Sequence, residues 1–147
     1  MVPDDAIVGR DDTITRLRED EIPAAIALWR AAGLAYPWND PAHDIALALA
    51  CPTATILAAH DEAGALIGTV MAGFDGHRGW LYSLAVAEGT RGQGLGGRLV
   101  AAAEAFLIAQ GAPTIRLMVR AENAGVSAFY ESIGYERGDF LVFGKRV

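Results

Sequence analysis

The residues best placed to do chemistry form one glycine-rich turn, Glu88-Gly89-Thr90-Arg91-Gly92-Gln93-Gly94-Leu95-Gly96-Gly97, set between a strand and a helix. Glycines let a backbone turn tightly and approach a ligand closely. A helix N-terminus leaves its first N–H groups unpaired and carries a partial positive charge. Together these make a cradle for a pyrophosphate, with Arg91 and Arg98 adding positive charge at the rim. A P-loop would need Gly-Lys-Ser/Thr at the end of the turn, and Gly97-Arg98-Leu99 does not supply it. Gly92, Gly94 and Gly97 do spell G-x-G-x-x-G, the dinucleotide fingerprint. That reading requires an acid about 20 residues on, at the end of the next strand. The chain has Met118-Val119-Arg120 there, with Glu122 beyond the strand, and no βαβαβ continuation. A purely structural glycine turn is the remaining alternative.

Other side chains with chemical potential are scattered. Tyr130 shares a helical face with Val126, Phe129 and Ile133, which by periodicity makes it a core tyrosine. Asn123 stands where a helix N-cap belongs. Asp75, His77 and Glu88 lie in turns, where a solvated residue is the ordinary expectation. Cys51, the only cysteine, precludes an internal disulfide and is expected to be a buried inert thiol. His43, His60 and His77 share no metal-ligand spacing, so no metal is expected.

The elements that must position these groups follow from patterning. Residues 1–12 are acidic and aperiodic and are expected to form a flexible tail. Thr13–Arg18 alternates as a first strand, and a helix opens at Asp20-Glu21 with the stripe Ile22, Ile26 and Trp29. A loop rich in aromatics and prolines (34–41) and a short helix (about 42–49) follow. Thr55–His60 and Ala65–Phe74 read as a hairpin across Asp61-Glu62-Ala63-Gly64. Trp80–Ala87 is nearly all apolar, as for a strand buried on both faces. A helix over about 95–110, a strand at 114–119, a helix at about 123–133 and one or two closing strands in 135–147 complete the chain. The result is one α/β domain with a mixed, mostly antiparallel twisted sheet of six to seven strands and about four helices.

Composition bounds the rest. The 147 residues are 52% hydrophobic and 20% charged, a globular balance for one domain. No apolar run is long enough for a membrane span, and the N-terminus lacks a signal-peptide pattern, so a cytoplasmic protein is expected. A net charge of −6 argues against nucleic acid as a partner and suits a cationic substrate such as an amine.

Segment 81–135 resembles the GNAT N-acetyltransferase family. The family's cofactor motif, Arg/Gln-x-x-Gly-x-Gly/Ala, is matched by Arg91-Gly92-Gln93-Gly94-Leu95-Gly96. Its later motif, Asn with Tyr seven residues on and then Gly-Phe/Tyr, is matched by Asn123, Tyr130 and Gly134-Tyr135. The fold resemblance covers 13–147, and Pro37-Trp38-Asn39-Asp40-Pro41 resembles the small bacterial YpeA-type members. The resemblance implies acetyl-CoA as cosubstrate and an amine as acceptor, either a small molecule or a protein or peptide amine. It implies backbone contacts from Leu84-Ala85-Val86 to the pantetheine arm and diphosphate binding by Arg91, Gly92, Gln93, Gly94, Leu95, Gly96 and Gly97. Asn123 would hold the arm near the thioester and Tyr130 would act as general acid. Trp38 would wall the acceptor site or simply pack. The family works as monomer or homodimer.

Direct attack by an amine needs no enzyme nucleophile. It needs a polarised carbonyl, for which N–H groups near Val86 could serve, and a proton for the leaving thiolate. Tyrosine, with a reference pKa of about 10 against about 8.5 for a thiol, stays protonated near pH 7 and can donate. The family's usual base glutamates have no counterpart in Trp80-Leu81-Tyr82 or Leu117-Met118-Val119. Deprotonating a lysine amine at pH 7 costs about 4–5 kcal/mol and an α-amine about 1 kcal/mol, so a weak or water-relayed base suffices for the latter. A non-catalytic acyl-CoA-binding sensor of the same fold is the alternative.

Overall fold

Asp61 makes the hairpin at the centre of the sheet: its carboxylate accepts the N–H of Ala63 at 3.0 Å and of Ala65 at 2.9 Å. This side-chain turn brings β3 (Ala54–His60) and β4 (Leu66–Phe74) into antiparallel register, Ile56 opposite Met71 and Ala58 opposite Thr69. The computed structural model describes residues 7–9 and 12–147, with side chains from residue 13. β1 (Ile7–Gly9) and β2 (Asp12–Arg16) extend the sheet beside β3, and β5 (Gly79–Val86) and β6 (Ile115–Leu117) extend it beside β4. The six strands run in chain order, all antiparallel except the β5/β6 pair. Ile7–Gly9 thus pairs as a strand within the segment expected to be a tail, and the rest of that segment, 1–6 with 10 and 11, lies outside the described residues.

Strand alternation divides the core into two layers. Leu57 and Ala59 of β3 face the layer built with α3 (Leu95–Gln110), through Leu95, Leu99, Ala103, Phe106 and Leu107. Ile56 and Ala58 face the layer built with α1 (Ile22–Ala31) and α2 (Pro41–Ala50), through Ala25, Trp29, Ile45 and Ala48. α4 (Ala124–Ser132) joins the α3 side by burying Tyr130. Truncating a fully buried residue such as Leu99 to alanine costs about 2–5 kcal/mol. The start of α1 is tied to β3 by Glu21, whose carboxylate accepts the Arg18 N–H at 3.0 Å and bonds the buried His60 ring.

Two expectations are corrected. The closing strands expected in 135–147 do not form; Phe140, Leu141, Val142 and Phe143 are 72%, 84%, 69% and 89% exposed. Four consecutive apolar residues carry strand propensity without the alternation that would give one buried face. β6, only three residues long, also offers a short outer edge for pairing. The segment is held by side chains instead: the Arg116 guanidinium lies 4.8 Å from the Phe140 ring centroid, and Arg146 donates to the Trp38 carbonyl at 3.3 Å. Cys51 is exposed rather than buried. α2 stops at Ala50 because a residue before proline is driven out of the helical region, and Cys51 is extended at φ −82°, ψ 122°.

Candidate functional site

The site begins where two parallel strands part. β5 and β6 pair only from Gly79 opposite Ile115 to Leu81 opposite Leu117. Immediately beyond, β5 bulges. Met71 faces Tyr82 but Thr69 faces Ala85, so Ser83 and Leu84 together oppose Val70. Such an insertion bends the strand and sharpens its twist. Ser83 occupies the left-handed region at φ 52°, the only non-glycine among the described residues to do so. From the bulge to Val86, β5 keeps β4 on one side and, among the described residues, has no strand on the other. Leu84, Ala85 and Val86 therefore border a gap whose β5 edge can accept an extended chain as an added strand.

The gap ends at the glycine turn. A short 3₁₀ turn, Glu88–Thr90, carries the chain out of β5. Gly92 and Gly94, at φ 81° and 80°, then fold it back to start α3 at Leu95. Gly94 is the N-cap and no side chain caps the helix, so its first N–H groups point outward. Arg91, Gly92, Gln93 and Gly94 are exposed, whereas the Leu95 side chain is 2% exposed and anchors the turn in the core. Arg91 Nε donates to the Val86 carbonyl at 3.3 Å, and Arg98 Nη1 donates to the Gln93 carbonyl at 3.1 Å. Both cations thus sit at the turn, as the sequence anticipates. Gly97 has open space where a Cβ would stand, but at Gly96 a Cβ would meet Phe129 Cζ at 3.3 Å. A side chain at residue 96 would therefore press on Phe129 of α4 whatever binds. Beside the turn, a cleft of about 400 Å³ is lined by Leu28, Ala31, Ala32, Val86, Ala87, Glu88 and Arg91.

Tyr130 is 8% exposed and belongs to the same packed cluster as Leu81, Leu95 and Leu99, against which Leu84 and Leu117 also pack. Its ring stands edge-on to Phe129 and Tyr135, at centroid distances of 5.0 and 5.6 Å. Burial pushes its pKa up to about 12. Tyr135 is raised further, chiefly by burial and then by its 2.7 Å bond to Glu104. Asn123 caps α4, accepting the Val126 N–H at 3.4 Å. The structural reading of Asn123 is therefore real, and its exposed position leaves its amide nitrogen available to a ligand.

The candidate bases separate. Asp75 is tied up in its own turn, accepting His77 N–H at 2.8 Å and Arg78 N–H at 2.7 Å, and those bonds lower its pKa. His77 lies beside the Arg78 guanidinium. Of the three, only Glu88 lines the cleft. The aromatic loop is fixed from across the site: Tyr36 stacks on Trp38 at 4.9 Å, and Arg120 lies 4.3 Å from the Tyr36 ring centroid and donates to its hydroxyl at 2.8 Å. Among the described residues no three metal-ligating side chains come together. No helix among them is long and apolar enough to cross a membrane.

Residues 15–135 match the model of the acetyltransferase (GNAT) family. The chain belongs to the GNAT acetyltransferase family. An acetyltransferase of Pectobacterium atrosepticum is 42% identical over 130 residues, covering 88% of this chain and 92% of its own. One of Sodalis glossinidius is 42% identical over 131 residues with the same coverage. Among solved structures, the aminoglycoside acetyltransferase AAC(6')-Iy, in complex with a CoA bisubstrate analogue, superposes with a TM-score of 0.79 at 16% identity, covering 92% of this chain and 98% of that one. A soil-metagenome aminoglycoside acetyltransferase in complex with sisomicin gives 0.74 at 19%, covering 93% and 96%. The GNAT resemblance in the motifs thus extends through the fold, and the chain is an acetyltransferase of the acyl-CoA-dependent kind. Three residues at the bulge beside this gap escaped sequence reasoning: Ser83, Thr69 and Trp29. The bulge residue is a serine in a place where glycine is usual, so no glycine marked it. Thr69 lies within the expected 65–74 strand and Trp29 on the expected helix stripe, and neither pattern marks a polar contact.

Proposed function

We propose that this chain binds acetyl-CoA along the parted edges of β5 and β6 and transfers its acetyl group to an amine. The observation that carries this reading is continuity: the open β5 edge at Leu84–Val86 leads directly into the uncapped start of α3. An extended amide-bearing arm needs the first, and a diphosphate needs the second. Gly92 and Gly94 expose the backbone there, and Arg91 and Arg98 give a local positive site on a chain of net charge −6. The bound thioester supplies an activated acyl carbon. N–H groups of the bulged stretch near Val86 polarise its carbonyl, the amine nitrogen bonds to the acyl carbon, and the carbon–sulfur bond breaks.

Tyr130 then faces the leaving sulfur. At a pKa of about 12 against a thiol near 8.5, complete proton transfer lies uphill by about 3.5 units, or about 5 kcal/mol. The desolvation that raises the tyrosine also raises a thiol held beside it, which narrows the gap. Tyr130 therefore works as a hydrogen-bond donor that stabilises the developing thiolate, which takes its proton from solvent on release. Glu88 takes the amine proton, directly or through water, a role suited to an amine of low pKa. Asn123 holds the arm, and Tyr36 and Trp38 wall the acceptor. The complexes of the structural neighbours with sisomicin and with a CoA–acetylneamine bisubstrate analogue favour a small-molecule amine.

Thiol release from acetyl-CoA, measured over a panel of aminoglycosides, polyamines and peptide N-termini, tests this. Release dependent on at least one amine supports the transferase. Tight acetyl-CoA binding with no release on any acceptor indicates a sensor.

A further inference from the structure

A left-handed serine in the middle of a sheet stands against its own preference, and two hydrogen bonds lead to it. The Trp29 indole N–H donates to Thr69 Oγ1 at 2.8 Å, and Thr69 Oγ1 donates to the Ser83 carbonyl at 3.3 Å. Trp29 is 2% and Thr69 0% exposed. A hydroxyl has one proton. With the indole N–H occupying a lone pair of Thr69, that proton is directed to the Ser83 oxygen. The chain of contacts runs from α1, through the inner face of β4, to the residue where β5 leaves β6.

We propose that Trp29 and Thr69 are positioning residues for the cofactor arm: they clamp the Ser83 bulge and so set the direction of the Leu84–Val86 backbone. This rests on the acetyl-CoA reading of the gap. A strained backbone conformation persists only where its surroundings over-determine it, and here a two-bond relay, buried at Trp29–Thr69 and part-buried at Ser83, and the flanking β4 pairing do so. The relay fixes the arm-binding edge and leaves the diphosphate turn to its own anchor, Leu95. Its loss therefore separates two parts of one ligand. The helix that supplies Trp29 also lines the cleft with Leu28, Ala31 and Ala32, so α1 sets both the wall of the cleft and the edge that borders it.

The test titrates two ligands calorimetrically: acetyl-CoA, and 3′-phosphoadenosine 5′-diphosphate, which carries the CoA diphosphate without the arm. Thr69→Val keeps the shape and removes the hydroxyl; Trp29→Phe removes the donor. Each is expected to weaken acetyl-CoA about tenfold, the scale of a misdirected hydrogen bond, and to leave the nucleotide unchanged. Thr69→Ser restores the hydroxyl and the affinity. Ser83→Gly relaxes the bulge, so adding Thr69→Val to it costs less than in the wild type. Melting curves verify that each variant is folded. Acetyl-CoA binding by Thr69→Val equal to wild type overturns the proposal. So does equal weakening of both ligands, which marks a merely structural role. A wild-type chain that binds neither ligand refutes the acetyl-CoA reading, and the relay with it.

Discussion

Gly68 is the seat on which the glycine-rich turn and the start of α3 rest. It lies in β4 opposite Val86, under the first turns of α3. A Cβ there would stand 2.8 Å from Leu99 Cδ1, 3.3 Å from Leu95 Cδ2 and 3.3 Å from the Ala85 carbonyl oxygen. Leu99 is 0% and Leu95 2% exposed, so neither has free space into which to swing. Gly68→Ala therefore overpacks the layer and costs about 1–3 kcal/mol. For a domain of this size that lowers Tm by roughly 2–12 °C. Leu99→Val removes the clashing methyl, so Gly68→Ala adds less than about 0.5 kcal/mol in that background, a coupling expected of touching residues. Because Leu95 and Leu99 carry the start of α3, Gly68→Ala also weakens binding of 3′-phosphoadenosine 5′-diphosphate. Calorimetric melting of the four-member cycle, with nucleotide titrations, reads both effects. A Gly68→Ala variant that melts at or above wild type, or a cycle that is strictly additive, refutes the packing argument.

Tyr130→Phe is expected to lower kcat by about 10²-fold or more, within the range for a proton donor, with KM for acetyl-CoA little changed; unchanged thiol release removes Tyr130 from the mechanism. Because burial raises Tyr130 to about 12, the neutral phenol stabilises the fold fully below pH 10, and that contribution is lost as pH rises through 12. Wild type should accordingly lose more stability than Tyr130→Phe between pH 10 and 12 in alkaline melts. Asp75→Asn, which alters a turn outside the cleft, leaves turnover unchanged, whereas Glu88→Gln lowers it and steepens its dependence on acceptor pKa; equal turnover in both variants would displace Glu88 as the base. Glu21→Ala strips His60 of its buried partner and Arg18 of its N–H acceptor, and lowers stability by about 3 kcal/mol in urea unfolding.

The helices and the glycine turn were legible because their signals are local. Leu95, Leu99, Ala103 and Phe106 repeat with the helical period, and Gly92 and Gly94 adopt the positive φ that their type permits. The bulge was not legible, because Trp80–Ala87 reads as a continuous apolar strand and its left-handed residue is Ser83. Its causes, Trp29 and Thr69, lie 40 residues apart and meet only in the folded sheet. Phe140-Leu141-Val142-Phe143 misled in the opposite way: strand-forming residue types are present without an inner layer to cover them. For Asn123 the helix-cap reading holds, since its side chain caps α4, while a place at the site is what the motif it shares with Tyr130 implies and is proposed above.

The central claim is that one ligand spans the parted edge of β5 and the start of α3. Amide hydrogen exchange, read residue by residue with and without acetyl-CoA, tests it most directly. The account predicts protection concentrated at 83–86 and at 94–97, absent when NAD replaces acetyl-CoA. Protection elsewhere, or the same protection by NAD, contradicts it.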